Sequence, residues 1–90
     1  MTARHVFYEG RVQGVGFRIT VRQVATGFDV TGWIRNLPDG RVELLAAGEP
    51  AEIDAFLQAI RDGGIAGFIR KETADEIPVP KGLRGFEIVQ

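Results

Sequence analysis

The hydrophobic pattern of this 90-residue chain changes from the period of a strand to the period of a helix, and it does so twice. Residues 5–12 alternate apolar and polar side chains, which predicts a half-buried strand. From Phe17 to Phe28 the apolar side chains lie at i, i+4, i+7, i+8 and i+11, which predicts a helix with one apolar stripe that ends near Thr26. A chain that alternates these periods is expected to fold as a sheet with helices packed against it.

A tight turn separates the two halves of this pattern. The sequence LPDG at residues 37–40 places proline and glycine where a turn favours them, so the predicted strands at 30–36 and 41–47 run antiparallel. A second helix is predicted to begin at Pro50, with apolar side chains at i, i+3, i+4 and i+7, and to end at residues 62–64. The remaining predictions are a fourth strand, a surface loop and a short last strand, at residues 65–72, 74–82 and 84–89.

Two helices that each carry one apolar stripe can cover only one face of the sheet. The order β-α-β-β-α-β, followed by a short strand, therefore predicts an α+β fold, the ferredoxin-like (split βαβ) sandwich: an antiparallel sheet of four to five strands with two helices on one face. The first and second strands point the same way, because a helix returns the chain between them. A chain of this length buries one core, so residues 1–90 are expected to form a single domain.

Composition excludes several classes of function. Lys and Arg number 11 against 12 for Asp and Glu, a net charge of −1, which argues against a nucleic-acid partner. With no cysteine and a single histidine, the chain lacks thiolate chemistry and the common zinc and iron–sulfur ligands, so neither a metal nor a cofactor is expected. No apolar run is long enough for a membrane span and the first residues lack a signal-peptide core, so we expect no membrane partner and a cytoplasmic location.

The segment between the first strand and the first helix has the features of an anion site. Gly14 and Gly16 have no side chain to prevent backbone N–H groups from converging, and a helix start adds unpaired N–H groups and partial positive charge. Arg18, in the first turn, adds a guanidinium that contacts two phosphate oxygens at once. The alternative is a tight strand-to-helix turn followed by a surface arginine, although a cation is slightly unfavourable at that end of a helix.

Asn36 is the second candidate for a functional side chain. It ends the second strand, just as the glycines follow the end of the first, so codirectional strands place both at one edge of the sheet. With the third strand between them, the two strand axes are expected to lie roughly 9–10 Å apart, which leaves room for a phosphoryl group and a water. The alternative interpretation of Asn36 is a turn-forming residue.

Two segments resemble the two signatures of the acylphosphatase family: GRVQGVGFR at residues 10–18 and GWIRNLPDGRVE at residues 32–43. Their separation also matches, and GFEI at residues 85–88 resembles the last strand of that family. The resemblance covers the whole chain and implies the same ferredoxin-like fold. It also implies metal-free hydrolysis, without a cofactor, of the carboxyl–phosphate bond of a small-molecule acyl phosphate to a carboxylate and inorganic phosphate.

The resemblance further implies roles for individual residues. By position, Arg18 is similar to the phosphate-binding arginine of the family and Asn36 to its water-positioning asparagine. The phosphate cradle is expected to comprise Gln13, Gly14, Val15, Gly16, Phe17 and Arg18. Phosphate or sulfate is expected as a product-like ligand, and a monomer as the active form. Where the family usually shows an aromatic pair after the arginine, this chain has Ile19-Thr20, and we interpret Ile19 as part of the mouth through which the acyl group leaves.

Two other functions are compatible with parts of the pattern. A non-enzymatic ferredoxin-like module would bind a small phosphorylated ligand or anion through the same glycines. RNA binding would use Phe7, Trp33 and Phe68 as a stacking platform, but residues 41–47 supply no aromatic side chain to it. Three further polar residues are interpreted as solvated surface groups: His5, Arg35 and Arg41. The alternative for Arg35 and Arg41, which flank Asn36 across the turn, is that they guide anionic substrates.

Overall fold

The computed structural model describes all 90 residues, which form five strands, two α-helices and one short 3-10 helix with loops and turns between them. In chain order the elements are β1 (Thr2–Gly10), α1 (Phe17–Ala25), β2 (Val30–Asn36), β3 (Val42–Gly48), α2 (Pro50–Asp62), the 3-10 helix (Gly64–Phe68), β4 (Ile69–Ile77) and β5 (Phe86–Ile88). Both α-helices lie where the apolar stripes predicted them. None of the helices combines the length and the apolar character needed to cross a membrane.

The five strands form one sheet in the order β4-β1-β3-β2-β5. β3 is antiparallel to both β1 and β2, so β1 and β2 point the same way, as predicted from the intervening helix. β5 departs from the antiparallel pattern, because it pairs in parallel with β2. β4 ends where Ile77 faces Ala3, at the start of β1, and the chain then crosses that end of the sheet and enters β5 near the start of β2. The predicted ferredoxin-like α+β fold is confirmed, with a mixed sheet of five strands.

The core lies between the sheet and the two α-helices. One strand face and both helical stripes form a single buried cluster, whose large members include Val6, Tyr8, Phe17, Val21, Ile34, Leu44, Ile53, Phe56, Leu57 and Ile60. Complete burial of each large apolar side chain stabilises the fold by about 1.5–3 kcal/mol. The opposite face of the sheet carries no helix, and we call it the open face; its centre consists of His5, Phe7, Trp33, Arg35 and Glu43.

The fourth strand does not lie where the pattern predicted it. Residues 64–68 form the 3-10 helix and β4 runs over 69–77, so the predicted loop also begins later than residue 74. Ile65 and Phe68 led to the error, because they are apolar yet pack against the core from the 3-10 helix. β4 is an edge strand that pairs only with β1 and exposes most of its side chains, so it has no alternation of hydrophobicity to detect.

Candidate active site

The glycine loop, residues 11–16, connects β1 to α1 and starts from a fixed point. Gly10 ends β1 with a φ of 131°, and a Cβ at this position would lie 2.4 Å from the carbonyl oxygen of Phe68. The backbone N–H of Arg11 donates to that same oxygen at 2.9 Å. Glycine permits this close approach of two backbones, so the junction between the 3-10 helix and β4 anchors the loop where it leaves the sheet.

The loop leaves a run of backbone N–H groups without partners. Gly14 and Gly16 have left-handed φ angles of 76° and 78°. The N–H groups from Gln13 to Ile19 donate to no carbonyl or side chain, and the first backbone hydrogen bond of the helix runs from Thr20 N–H to Gly16 O at 3.0 Å. Consecutive free N–H groups in glycine turns and at helix starts form concave binding sites for anions.

Arg18 adds a guanidinium to this positive end of the helix. No acidic residue lies in the first turn of α1, and the Arg18 side chain makes neither an ion pair nor a hydrogen bond. An unpaired cation at a positive helix end is unfavourable, and a bound anion would reverse that effect. The space beside it is a cavity of about 160 Å³, several times the ~30 Å³ that one water occupies in the liquid. Its lining residues are Val12, Gly14, Gly16, Phe17, Arg18 and Ile19.

The residues predicted for the phosphate cradle contribute in different ways. Phe17 is buried, with its ring 5.3 Å from that of Tyr8, and Val15 also packs against the core. Their side chains therefore hold the loop on the core, while their N–H groups stay free. Ile19 is 55% exposed and lines the cavity. Val12 lines it too, although its position in the strand alternation predicted only a core residue.

Gln13 differs most from the role expected for it. Its side-chain amide donates to the carbonyl oxygens of Leu37 and Arg41, at 2.8 and 2.9 Å. Both N–H bonds of the amide are used in this way, so the side chain ties the glycine loop to the 37–40 turn and leaves only the backbone N–H for an anion. The sequence does not reveal this tie, because the acceptors are main-chain atoms 24 and 28 residues away.

Asn36 lies at the same edge of the sheet. It ends β2 opposite Val42, and β3 is the single strand between β1 and β2, as the predicted spacing required. It does not line the cavity at the loop. However, it directly precedes Leu37, and the carbonyl group of Leu37 accepts a hydrogen bond from the Gln13 side chain. The Oδ1 atom of Asn36 is buried and receives no hydrogen bond from any protein group. A buried oxygen without a donor costs about 1–3 kcal/mol, which a donating water or ligand would recover.

On the open face, in contrast, the charged side chains form hydrogen bonds with one another. Glu43 is buried and accepts hydrogen bonds from Arg35 Nε and from His5 Nε2, the latter at 2.6 Å. Burial raises the pKa of the Glu43 carboxyl, but these hydrogen bonds outweigh it and hold the pKa below its usual range. Arg35 also lies over the ring of Trp33, at 5.3 Å from its centroid. Neither His5 nor Arg35 is therefore the freely solvated group that was predicted.

Arg41, the third predicted surface group, is also held by protein contacts. Its guanidinium pairs with Asp39 at 2.8 Å and lies 4.6 Å from the centroid of the Phe7 ring. Hydrogen bonds from the backbone and side chain of Arg41 lower the pKa of Asp39. Phe68 packs against the core rather than beside Phe7 and Trp33, so the three aromatic side chains do not form the single platform that RNA binding would use.

Comparisons with known proteins identify the family of this chain. The sequence model of the acylphosphatase family matches residues 4–88. The chain is 44% identical over 84 residues to an acylphosphatase from Trichormus variabilis, and the aligned residues cover 93% of this chain and 82% of the relative. It is 40% identical over 87 residues to one from Haloarcula marismortui, with 97% and 94% covered. The crystal structure of acylphosphatase from Bacillus subtilis matches with a TM-score of 0.90 at 34% identity, over 100% of both chains. This chain therefore belongs to the acylphosphatase family.

Proposed function

We propose that this chain is an acylphosphatase that hydrolyses the carboxyl–phosphate bond of a small acyl phosphate to a carboxylate and inorganic phosphate. Arg18 and the free N–H groups of the cradle bind the phosphoryl oxygens, and Asn36 positions the attacking water. The observation that carries the proposal is the unbroken run of unpaired N–H groups from Gln13 to Ile19, beside the cavity that Arg18, whose guanidinium has no partner, also lines. Membership of the family supports the same activity.

The proposed reaction depends mainly on position and charge. The carboxylate of a mixed anhydride is a good leaving group, so water displaces it from phosphorus without a covalent intermediate on the protein. A new bond forms from phosphorus to the water oxygen, and the bond from phosphorus to the carboxylate oxygen breaks. The proton that the water loses passes to the product phosphate or to solvent. Donors that are fixed in advance stabilise the charge on the other phosphoryl oxygens, as Arg18 and the cradle N–H groups would do.

Asn36 acts on the water in this proposal. A carboxamide does not titrate near neutral pH, so it holds the water rather than removing its proton. The water donates to the Oδ1 atom of Asn36 and turns a lone pair towards phosphorus, in line with the bond that breaks. Such positioning lowers the barrier, because the freedom of the water is lost before the reaction begins. The Gln13 tie supports this role, because it fixes the loop to the residue that follows Asn36.

The non-enzymatic alternative accounts for the glycine loop but not for Asn36. A module that only binds an anion needs the N–H groups and Arg18, but gains nothing from a buried, unpaired oxygen on a neighbouring strand. The relatives from Trichormus variabilis and Haloarcula marismortui, both acylphosphatases by name, favour the enzyme as well. We also propose a cytoplasmic monomer as the active form, with phosphate or sulfate as product-like ligands.

The test is the hydrolysis of benzoyl phosphate, followed by its ultraviolet absorbance with and without a metal chelator. We expect turnover that the chelator leaves unchanged and that inorganic phosphate inhibits by competing with the substrate. Phosphate binding without turnover would favour the non-enzymatic module. Loss of activity on addition of the chelator would contradict the metal-free mechanism.

A further inference from the structure

A second cavity opens at the same edge of the sheet, between the start of the glycine loop, the 37–40 turn and the start of β4. Its volume is about 470 Å³, within the usual range of small-molecule sites. No hydrophobic side chain lines it, and its charged lining residues are Glu9, Arg11, Asp39, Arg41, Arg70 and Lys71. A polar ligand therefore suits this cavity better than an apolar one.

The charge of this cavity is positive. Four cations and two acids line it, and one of the cations, Arg41, is already paired with the aspartate of the turn. Arg11, Arg70 and Lys71 make no ion pair or side-chain hydrogen bond, and Glu9 is the single unpaired acid among them. The whole chain has a net charge of −1, so the positive excess is local. Unpaired cations around a polar cavity attract an anionic ligand.

The pairing of β1 with β4 brings these cations together. Glu9 faces Lys71, and the register becomes irregular at the next residue, Gly10. A Cβ on Gly10 would lie 2.7 Å from the backbone nitrogen of Arg70, so this glycine allows β4 to approach the first residue of the loop closely. The contact that anchors the loop therefore also places Arg11 and Arg70 beside one cavity.

The cavity shares the glycine loop with the phosphate cradle. Arg11 and Gln13 are two residues apart, so their Cα atoms lie at most about 7.6 Å from each other. The side chain of Gln13 also holds the turn that forms the opposite wall of the cavity. An acyl group that extends from a phosphoryl group in the cradle past Gln13 and towards this wall would direct its far end at the long cationic side chains of the cavity.

We infer that the cavity formed by Arg11, Arg70 and Lys71 binds a carboxylate on the far end of the acyl group. The enzyme would then favour acyl phosphates that carry such a second negative charge over those with an uncharged acyl group. The inference rests on the proposed acylphosphatase activity and adds a substrate preference to it.

The test compares kcat/KM for succinyl phosphate, which has a free carboxylate, with kcat/KM for acetyl phosphate at low ionic strength. The double variant Arg70→Gln/Lys71→Gln is expected to lower the ratio of the two values by about threefold to tenfold, while kcat/KM for acetyl phosphate stays essentially unchanged. The matched control is Lys81→Gln/Arg84→Gln, which removes the same charge from two exposed, unpaired residues in the segment that crosses the other end of the sheet. The control is expected to keep the wild-type ratio.

Each contrary result has a distinct meaning. An unchanged ratio in the Arg70/Lys71 variant overturns the inference and leaves the acylphosphatase activity standing. An equal fall in the control variant also overturns it, because loss of net charge then explains the effect. If the wild-type protein hydrolyses neither substrate, the proposed function itself fails and the inference with it. Arg11→Gln, on the other wall of the cavity, is a second variant that should lower the ratio in the same direction, and thermal unfolding checks that each variant is folded.

Discussion

The glycine-loop edge of the sheet and the open face both contain polar groups, but the two regions satisfy them differently. At the edge, the Arg18 guanidinium has no partner and the buried Oδ1 atom of Asn36 receives no hydrogen bond. On the open face, buried Glu43 receives hydrogen bonds from both Arg35 and His5. Unpaired polar groups cost stability and are tolerated where a ligand completes them, whereas paired groups stabilise the fold. Substitutions at the edge should therefore change activity, and those on the open face should change stability.

The largest effect on turnover is expected from Arg18→Ala. Loss of a charged, fixed donor to the phosphoryl group should lower turnover of benzoyl phosphate by about a hundredfold to a thousandfold. The thermal midpoint should not fall, because Arg18 makes no ion pair that the substitution would remove. The matched control is Arg22→Ala, an exposed and unpaired arginine of the same helix, which should keep wild-type turnover.

Equal losses in the Arg18 and Arg22 variants would refute the assignment of Arg18. Arg18→Lys separates charge from geometry, because an ammonium group keeps the positive charge but cannot contact two phosphoryl oxygens as a planar fork. Activity is expected to return only in part. Full rescue by lysine would show that the two-pronged contact is unnecessary.

Asn36→Ala is expected to lower kcat by about a hundredfold, because the attacking water is no longer held in line. The inhibition constant of inorganic phosphate should stay close to the wild-type value, since alanine leaves the cradle intact. In Arg18→Ala that constant should rise strongly. The pair of measurements distinguishes a residue that positions water from one that binds phosphate. A large rise of the phosphate inhibition constant in Asn36→Ala would count against this division of roles.

Gln13→Ala tests the two hydrogen bonds that connect the glycine loop to the 37–40 turn. The substitution removes two hydrogen bonds, although the carbonyl groups of Leu37 and Arg41 keep their backbone donors, the N–H groups of Gly40 and Leu37. Each lost bond contributes about 0.5–1.5 kcal/mol, so we expect the free energy of unfolding in urea to fall by about 1–3 kcal/mol. The glycine loop also loses its fixed position relative to Asn36, and kcat should fall by roughly tenfold. Gln13→Glu should behave similarly, because a carboxylate cannot donate. Reduced stability with unchanged kcat would mean that the tie serves the fold alone.

Ile19→Ala is expected to have a smaller effect, confined to the acyl group. Ile19 is exposed and lines the cavity beside the cradle, so an apolar acyl group is expected to contact it. Loss of that contact should lower kcat/KM for benzoyl phosphate relative to acetyl phosphate by about threefold. Val79→Ala, at an exposed apolar residue after β4, is the control and should keep the wild-type ratio. The same ratio in Ile19→Ala as in the wild type would remove Ile19 from the mouth of the site.

These regions also show what a sequence can and cannot predict. The glycines, the helix start and Arg18 lie within a few residues of one another, so local pattern was sufficient to place them together. To place Asn36 at the same edge of the sheet, it was sufficient to predict that the first and second strands point the same way. The Gln13 tie was missed because its acceptors are distant carbonyl groups, and β4 was misplaced because an exposed edge strand lacks hydrophobic alternation. The pairing of Glu43 depends on the register between three strands, which no local signal specifies.

The smallest effect on turnover is expected on the open face, from Glu43→Gln. Burial raises the pKa of Glu43, but the hydrogen bonds from Arg35 and His5 lower it further, so the folded-state pKa lies below that of the unfolded chain. The carboxylate therefore contributes stability that is fully present above the ordinary glutamate pKa of about 4.3 and is lost as the pH falls through the lower folded value. Urea unfolding of the wild type between about pH 6 and pH 3 should show this loss.

In Glu43→Gln the acid-dependent loss of stability should be smaller, because the neutral amide does not titrate, and the free energy of unfolding at pH 7 should be lower than in the wild type. Turnover of benzoyl phosphate at neutral pH should stay close to the wild-type value, since Glu43 lies on the open face and its carboxylate forms hydrogen bonds only with Arg35 and His5. A loss of turnover as large as that expected for Asn36→Ala would connect the open face to the reaction. The separation between groups that serve activity and groups that serve stability would then not hold.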